Sequence, residues 1–129
     1  SSFFRANLSQ EGSRKVMAEG EADFKDFQNL DIRVGEIVDV KDFPEANKPA
    51  YRIWVDLGEE LGIKKSSAQI TKLYSPEELE GKQVICVVNF PPLQIASFES
   101  EILILGVYRS DGVVLLQPDE EVSLGSKIG

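Results

Sequence analysis

From Asp23 onward the chain alternates apolar and polar positions in short runs separated by turn residues. In Asp23–Leu30, Phe24, Phe27 and Leu30 fall at i, i+3 and i+6, which predicts a short helix with Asp23 as its cap. A helix this short is unstable alone, so its aromatic face must pack on its own domain or on a second subunit. Residues 31–40 predict a first strand. Ile32, Val34, Val38 and Val40 share one side, interrupted by Glu36, and Arg33, Ile37, Asp39 and Lys41 take the other. Gly35 inside this run predicts a bulge or a sharp bend. A loop rich in proline follows, and then the cleanest strand of the chain, with Tyr51, Ile53, Val55 and Leu57 alternating against Arg52, Trp54 and Asp56. The run 64–71 predicts a third strand with Ala68 and Ile70 inward and Ser67, Gln69 and Thr71 outward. Ser75 as N-cap, Pro76 in the first turn, Glu78 completing a capping box and Gly81 as the stop predict a one-turn helix. Residues 83–90 are a nearly continuous apolar run of strand length, hence a central strand. Residues 91–101 read as a loop. The runs 102–108 and 113–118 flank Arg109-Ser110-Asp111-Gly112 and predict a hairpin. No internal repeat is present. The pattern is all-β. A five-stranded Greek-key barrel of the OB-fold type accounts for it, with a short N-terminal helix and a one-turn helix between strands three and four.

The first 22 residues break this pattern. They are rich in Ser, Glu, Gly and Ala without a period, and they read as an N-terminal tail or leader, with Met17 as a candidate original start. Residues 23–129 form the single expected domain. An Asn-Leu-Ser triplet at Asn7 matches a glycosylation acceptor, but no secretory signal accompanies it. No apolar run approaches the roughly 20 residues of a membrane span, so no membrane insertion is expected and the expected location is the cytoplasm. The chain has no histidine and one cysteine. That removes imidazole-based triads, most zinc sites and any internal disulfide framework.

The remaining residues offer little for catalysis. Neither a G-x-G-x-x-G loop nor a Walker A motif is present. Asp119, Glu120 and Glu121 read as a solvated acidic tip. Glu36, on an otherwise apolar strand face, is the one carboxylate worth naming as an acid or base, and an edge or bulge position that turns it to solvent explains it better. Cys86 lies in an apolar strand with no neighbouring cation, as a buried inert thiol does. The expectation is a binding protein, not an enzyme, with no cofactor and no metal.

A binding face is more specific. Arg52 and Trp54 share the polar side of the second strand, Ser67 and Gln69 the non-core side of the third. Lys48, Lys64, Lys65 and Lys72 flank them. An aromatic ring among cations can stack a base or hold an extended peptide. The alternative is that Trp54 simply packs beneath the N-terminal helix or a partner subunit. Charge bears on this choice. The formal net charge is −8, and the tail carries three basic and three acidic residues, so the excess belongs to residues 23–129. Within them, residues 44–72 hold five basic against four acidic residues, whereas residues 99–129 hold two against six. The acidity therefore does not forbid a locally basic face, although nucleic-acid binding favours a basic footprint.

Three segments together resemble the CsaA family: DIRVGEIVDVKDFPEANKPAYRIWVDLG, then GIKKSSAQITKLYSPEELEGKQVICVVNFPP, then FESEILILG with VVLLQP. CsaA proteins are small homodimeric export-related chaperones built on the tRNA-binding OB-fold domain that is shared with the C-terminal part of methionyl-tRNA synthetases. The resemblance spans about residues 23–129. It implies a homodimer with Phe24, Phe27 and Leu30 at the interface, ATP-independent binding of unfolded or presecretory polypeptides, a link to the protein-export machinery, and a tRNA-binding ancestry. A polypeptide site then calls for an apolar pocket near Trp54, Phe90 and Phe98, rimmed by Arg52, Lys64, Lys65 and Lys72. Two alternatives stand beside the chaperone reading: a structure-selective tRNA-binding protein on the same face, and a non-catalytic dimerisation or scaffold module. The acidic balance ranks polypeptide ahead of tRNA.

Overall fold

The computed structural model describes residues 20–129. The tail reading of residues 1–22, with its glycosylation triplet and Met17, lies almost wholly outside them. Phe24–Asn29 form α1, Ile32–Asp42 β1, Tyr51–Asp56 β2, Gly58–Leu61 α2, Ile63–Ala68 β3, Pro76–Leu79 α3 and Gln83–Val87 β4. Leu93–Ile95 and Phe98–Ser100 are β5 and β6, Leu103–Ile104 is β7, and Gly106–Arg109 and Gly112–Leu115 are β8 and β9. Five antiparallel strands in the order β3-β2-β1-β4-β7 make a nearly closed barrel, and β5–β6 and β8–β9 are separate hairpins. The expected five-stranded barrel with its α-turn between strands three and four is present.

The barrel exists because β1 serves two partners. Residues Ile32–Glu36 pair with β4 and Glu36–Asp42 pair with β2. The other edge of the first half is covered by the C-terminal segment: Val34 N–H donates to Ser126 O at 3.0 Å, and Gly125 N–H to Val34 O at 2.7 Å. The opposite edge of the barrel closes through β3. Glu101 N–H donates to Lys65 O at 2.8 Å, and Ser67 N–H to Ser100 Oγ at 3.2 Å.

Two details of β1 differ from the sequence reading. The register shift lies between Ile37 and Asp39, not at Gly35. The extra residue reverses the pattern there, so Ile37 is fully buried and Val38 is exposed. Apolar identity at both positions hid the slip, because either could face the core. Gly35 pairs regularly with Val84 and answers a steric need instead. A Cβ at that position would meet Val55 Cγ1 and come within 2.7 Å of Leu57 Cδ2.

The core runs through Ile37, Val40, Tyr51, Ile53, Val55, Leu57, Ile70, Leu79, Val84, Cys86 and Ile102. Helix α3 plugs one end of the barrel with Leu79, and its Ser75–Glu78 capping box forms as expected. Two further elements carry no pattern in the sequence. Residues 58–61 make the one-turn helix α2. Residues 91–101, read as a loop, carry the β5–β6 hairpin, with Ile95 paired to Phe98. Its three-residue strands were too short to show an alternating pattern.

Candidate functional site

The polar faces of β2 and β3 are fixed by their register. Arg52 pairs with Ser67 and Trp54 with Lys65, so these four side chains share the outer face. Lys64 pairs with Val55, and Ser66 with Ile53, which puts Lys64 on the opposite face from Lys65. The expected rim of adjacent lysines is therefore split, as strand alternation requires.

Trp54 is not an open platform. Phe43, Ala50 and Phe98 form a second apolar cluster outside the barrel, with Ala46, Trp54 and Ile95 packed against it. The Phe98 ring meets Trp54 edge-on at 6.0 Å and Phe43 at 5.4 Å between centroids. Phe98 is only 8% exposed. Cations close over this cluster: Lys41 Nζ lies 5.6 Å from the Trp54 ring, Lys65 Nζ 5.7 Å from Phe98 and the Arg52 guanidinium 5.8 Å from Phe43. Arg52 Nε also donates to Asp42 O at 3.0 Å. Arg52, Trp54, Lys65 and Phe98 thus hold the β5–β6 hairpin against β2 and β3. Trp54 packs, as the alternative reading held, but beneath this hairpin rather than beneath α1.

Two grooves open beside the cluster, one on each side of Ser67–Gln69. The first has a volume of about 260 Å³ and is lined by Ser66, Ser67, Phe90, Leu93, Ile102 and Leu103 among others. Phe90, Leu93 and Leu103 expose large apolar surface into it. Phe90 therefore belongs to a groove that includes neither Trp54 nor Phe98, so the single pocket expected near all three residues does not form. The second groove, about 460 Å³, brings together the predicted Lys48, Gln69 and Lys72 with Thr71, Tyr108 and Arg109.

Tyr108 and Arg109 escaped the sequence reading, which took the hairpin as structural. The signal was available: an aromatic residue stands immediately before the Arg109–Gly112 turn. Gly112 seats this turn. Its φ is +145°, and a Cβ there would come within 2.9 Å of Leu73 Cγ and 3.3 Å of Lys72 Cβ. Leu115 N–H donates to Tyr74 Oη at 3.1 Å and anchors the other end of β9. At the tip, Arg109 Nε lies 2.6 Å from Asp111 Oδ1. The hydrogen bond from Arg109 holds the Asp111 carboxyl below its ordinary pKa, and the same bond raises that of Arg109.

Away from these grooves, the aromatic face of α1 has no partner among the described residues. Phe24 is 71% exposed, Phe27 is partly exposed, and their rings stack at 6.0 Å. Leu30 is half-buried. Asn89 ties the helix to the barrel: its Nδ2 donates to Asn29 O at 2.8 Å and its Oδ1 accepts from Asp31 N–H at 2.9 Å. Burial pushes the Cys86 thiol up to about 12. Among the described residues there is no cluster of three metal-ligating side chains, and no helix is long and apolar enough to cross a membrane.

Residues 32–127 match the tRNA binding domain family. The CsaA chaperone protein of Picrophilus torridus shares 51% identity and superposes with a TM-score of 0.81, covering 84% of this chain and all of that one. The CsaA chaperone of Bacillus anthracis is likewise 51% identical, with a TM-score of 0.80, 85% of this chain and all of that chain. The methionine–tRNA ligase of Pyrococcus horikoshii is 45% identical over 105 residues, 81% of this chain but 14% of the ligase. The chain thus spans about a seventh of the ligases it matches, and it matches the full length of the solved CsaA chains. The resemblance read from residues 23–129 is borne out: this chain belongs to the tRNA-binding domain family and shares its barrel with the CsaA chaperones.

Proposed function

We propose that this chain is a CsaA-type chaperone of the cytoplasm, a homodimer that binds unfolded or presecretory polypeptides without ATP and without catalysis. The observation that carries the reading is the apolar groove at Phe90, Leu93 and Leu103. An open trough of this size suits one or two apolar side chains of an extended segment, and Ser67 and Glu101 along its lining can pair with main-chain groups. Dimerisation through Phe24 and Phe27 would cover surface that a monomer leaves in water, and would present two grooves to one client, which raises avidity. Hand-over to the export machinery follows as the use of such binding.

A light-scattering assay on a thermally aggregating client, run with a peptide array, tests this. Suppression at equimolar dimer, lost in Phe90→Asp, is the expected result; no suppression and no peptide signal would sink it. Sedimentation of Phe24→Asp/Phe27→Asp at half the wild-type mass is expected, and an unchanged dimer would move the interface elsewhere. A second reading, tRNA binding, is favoured by the family match and by Lys48 and Lys72 beside an exposed aromatic ring.

A further inference from the structure

Among the described residues Tyr108 is the most exposed of the large apolar side chains, 93% accessible, yet it sits in the wall of the 460 Å³ groove. An aromatic ring left in water next to a cavity needs a reason, and the residues around it supply one. Lys48 comes from the β1–β2 loop and Lys72 from the segment after β3, and both are exposed. Among the described residues neither ammonium belongs to an ion pair, whereas the nearby Arg109 is held by Asp111. Gln69 and Thr71 add amide and hydroxyl groups to the floor. Gly112 fixes the hairpin so that the ring and the two ammoniums face one space of about 460 Å³, within the range of about 300–1,000 Å³ usual for small-ligand sites.

We propose that this groove holds one unstacked nucleotide of a single-stranded RNA, its base on the Tyr108 ring, its phosphate between Lys48 and Lys72, and a base edge against Gln69. The inference rests on the tRNA reading and narrows it to a loop or an end rather than a stem. The ring offers a π-face, and a base inside a duplex has no face to give it. Two free ammoniums match one or two phosphates, not the long footprint of a helical stem. An extended apolar peptide is served by the other groove; here Pro49 and Val113 share the lining with Gln69 and Thr71, and what sets the site apart is its lysines.

The test uses the full chain and four probes: a labelled eight-nucleotide oligoadenylate, a hairpin of equal charge, folded bulk tRNA, and adenosine monophosphate. The oligonucleotide should bind more tightly than the hairpin and compete with tRNA. Tyr108→Ala should weaken both by about ten- to a hundredfold, and Tyr108→Phe should restore them. Lys48→Gln and Lys72→Gln should each flatten the salt slope by about 0.7. Melting temperature should not move in Tyr108→Ala, because the side chain packs on nothing it would expose. If adenosine monophosphate binds as tightly as the oligonucleotide, the same site serves a free nucleotide. If tRNA binds but is indifferent to Tyr108 and to the oligonucleotide, this inference fails while the tRNA reading stands. Oligonucleotide binding that needs Tyr108, with none of tRNA, leaves the site and removes the tRNA reading. No oligonucleotide binding, or an acidic octapeptide binding equally well, overturns the site.

Discussion

The two grooves flank the end of one strand and differ in charge. The apolar groove draws on Ser66 and Ser67 of β3, the other on Gln69, Thr71 and Lys72 just past its end, and a trough of about 310 Å³ past Ser67, Gln69, Leu103 and Tyr108 joins them. What differs is the hairpin that supplies the far wall. The apolar groove is walled by Phe90, Leu93 and Ile95, near a hairpin that is itself held by the Phe43–Trp54–Phe98 cluster. The cationic groove is walled by β8–β9, held by a glycine contact on Leu73 and a tyrosine hydrogen bond. The barrel fixes where ligands can sit; the hairpins fix what kind. A net charge of −8 therefore says little about either groove, because each samples a handful of residues.

The largest effect should come from cutting one hairpin loose. Phe98→Ala removes the ring that Trp54 and Phe43 pack on, and burial of this order costs about 3 kcal/mol when truncated. Trp54 fluorescence should shift to the red as water reaches the indole. Peptide binding should fall with the hairpin, while oligonucleotide binding to folded protein should survive. Equal loss of both would show that the grooves do not stand on separate supports.

Alkaline pH should act the other way, removing both grooves together. Burial in β4 pushes the Cys86 thiol up from 9.0 to about 12. Its folded pKa is raised, so the stability it contributes is complete below about pH 9 and is lost as pH climbs toward 12. The loss is on the order of 1 kcal/mol per pH unit in that window. Denaturant midpoints at pH 8 and pH 11 should therefore differ by more in the wild type than in Cys86→Ala, and both ligands should be released at one pH.

How much of this was legible in the sequence depends on the length of each signal. Seven alternating residues from Tyr51, the capping box at Ser75 and the apolar run from Gln83 sufficed for the barrel. The bulge at Val38 was not legible, since Ile37 and Val38 satisfy either register equally. The outer face was half legible. Arg52, Trp54 and Lys65 do share a side, but their role as the clamp on Phe98 depends on a hairpin of three-residue strands. Charge and alternation single out Lys48, Gln69 and Lys72, which the fold gathers on one groove, but not Tyr108 beside them, because a turn-flanking aromatic looks the same in a structural hairpin. Phe90 was found, but its separation from Trp54 by the hairpin was beyond any pattern along the chain.

Phe90→Asp separates the grooves at a single residue. The side chain is partly exposed, so stability should change by no more than about 0.5 kcal/mol. A carboxylate in an apolar groove should nonetheless weaken an apolar peptide by about tenfold, read by fluorescence anisotropy. Oligonucleotide affinity should hold within about twofold, because the added charge is not in the Tyr108 groove. A parallel loss of both ligands would mean one shared site along β3.

The smallest effect should be a gain. Asp111 is exposed and occupies Arg109 through bonds of 2.6 and 2.9 Å, so the guanidinium on the wall of the cationic groove is already spent on a local partner. Asp111→Asn releases it without touching Gly112, which carries the backbone geometry of the turn. Oligonucleotide affinity should rise about twofold at low salt, and the salt slope should steepen by up to about 0.7, the increment for one more phosphate on a single strand. Peptide affinity in the other groove should not change. A slope that stays put would mean that Arg109 points away from the phosphate path, and the two lysines would then carry the cationic side alone.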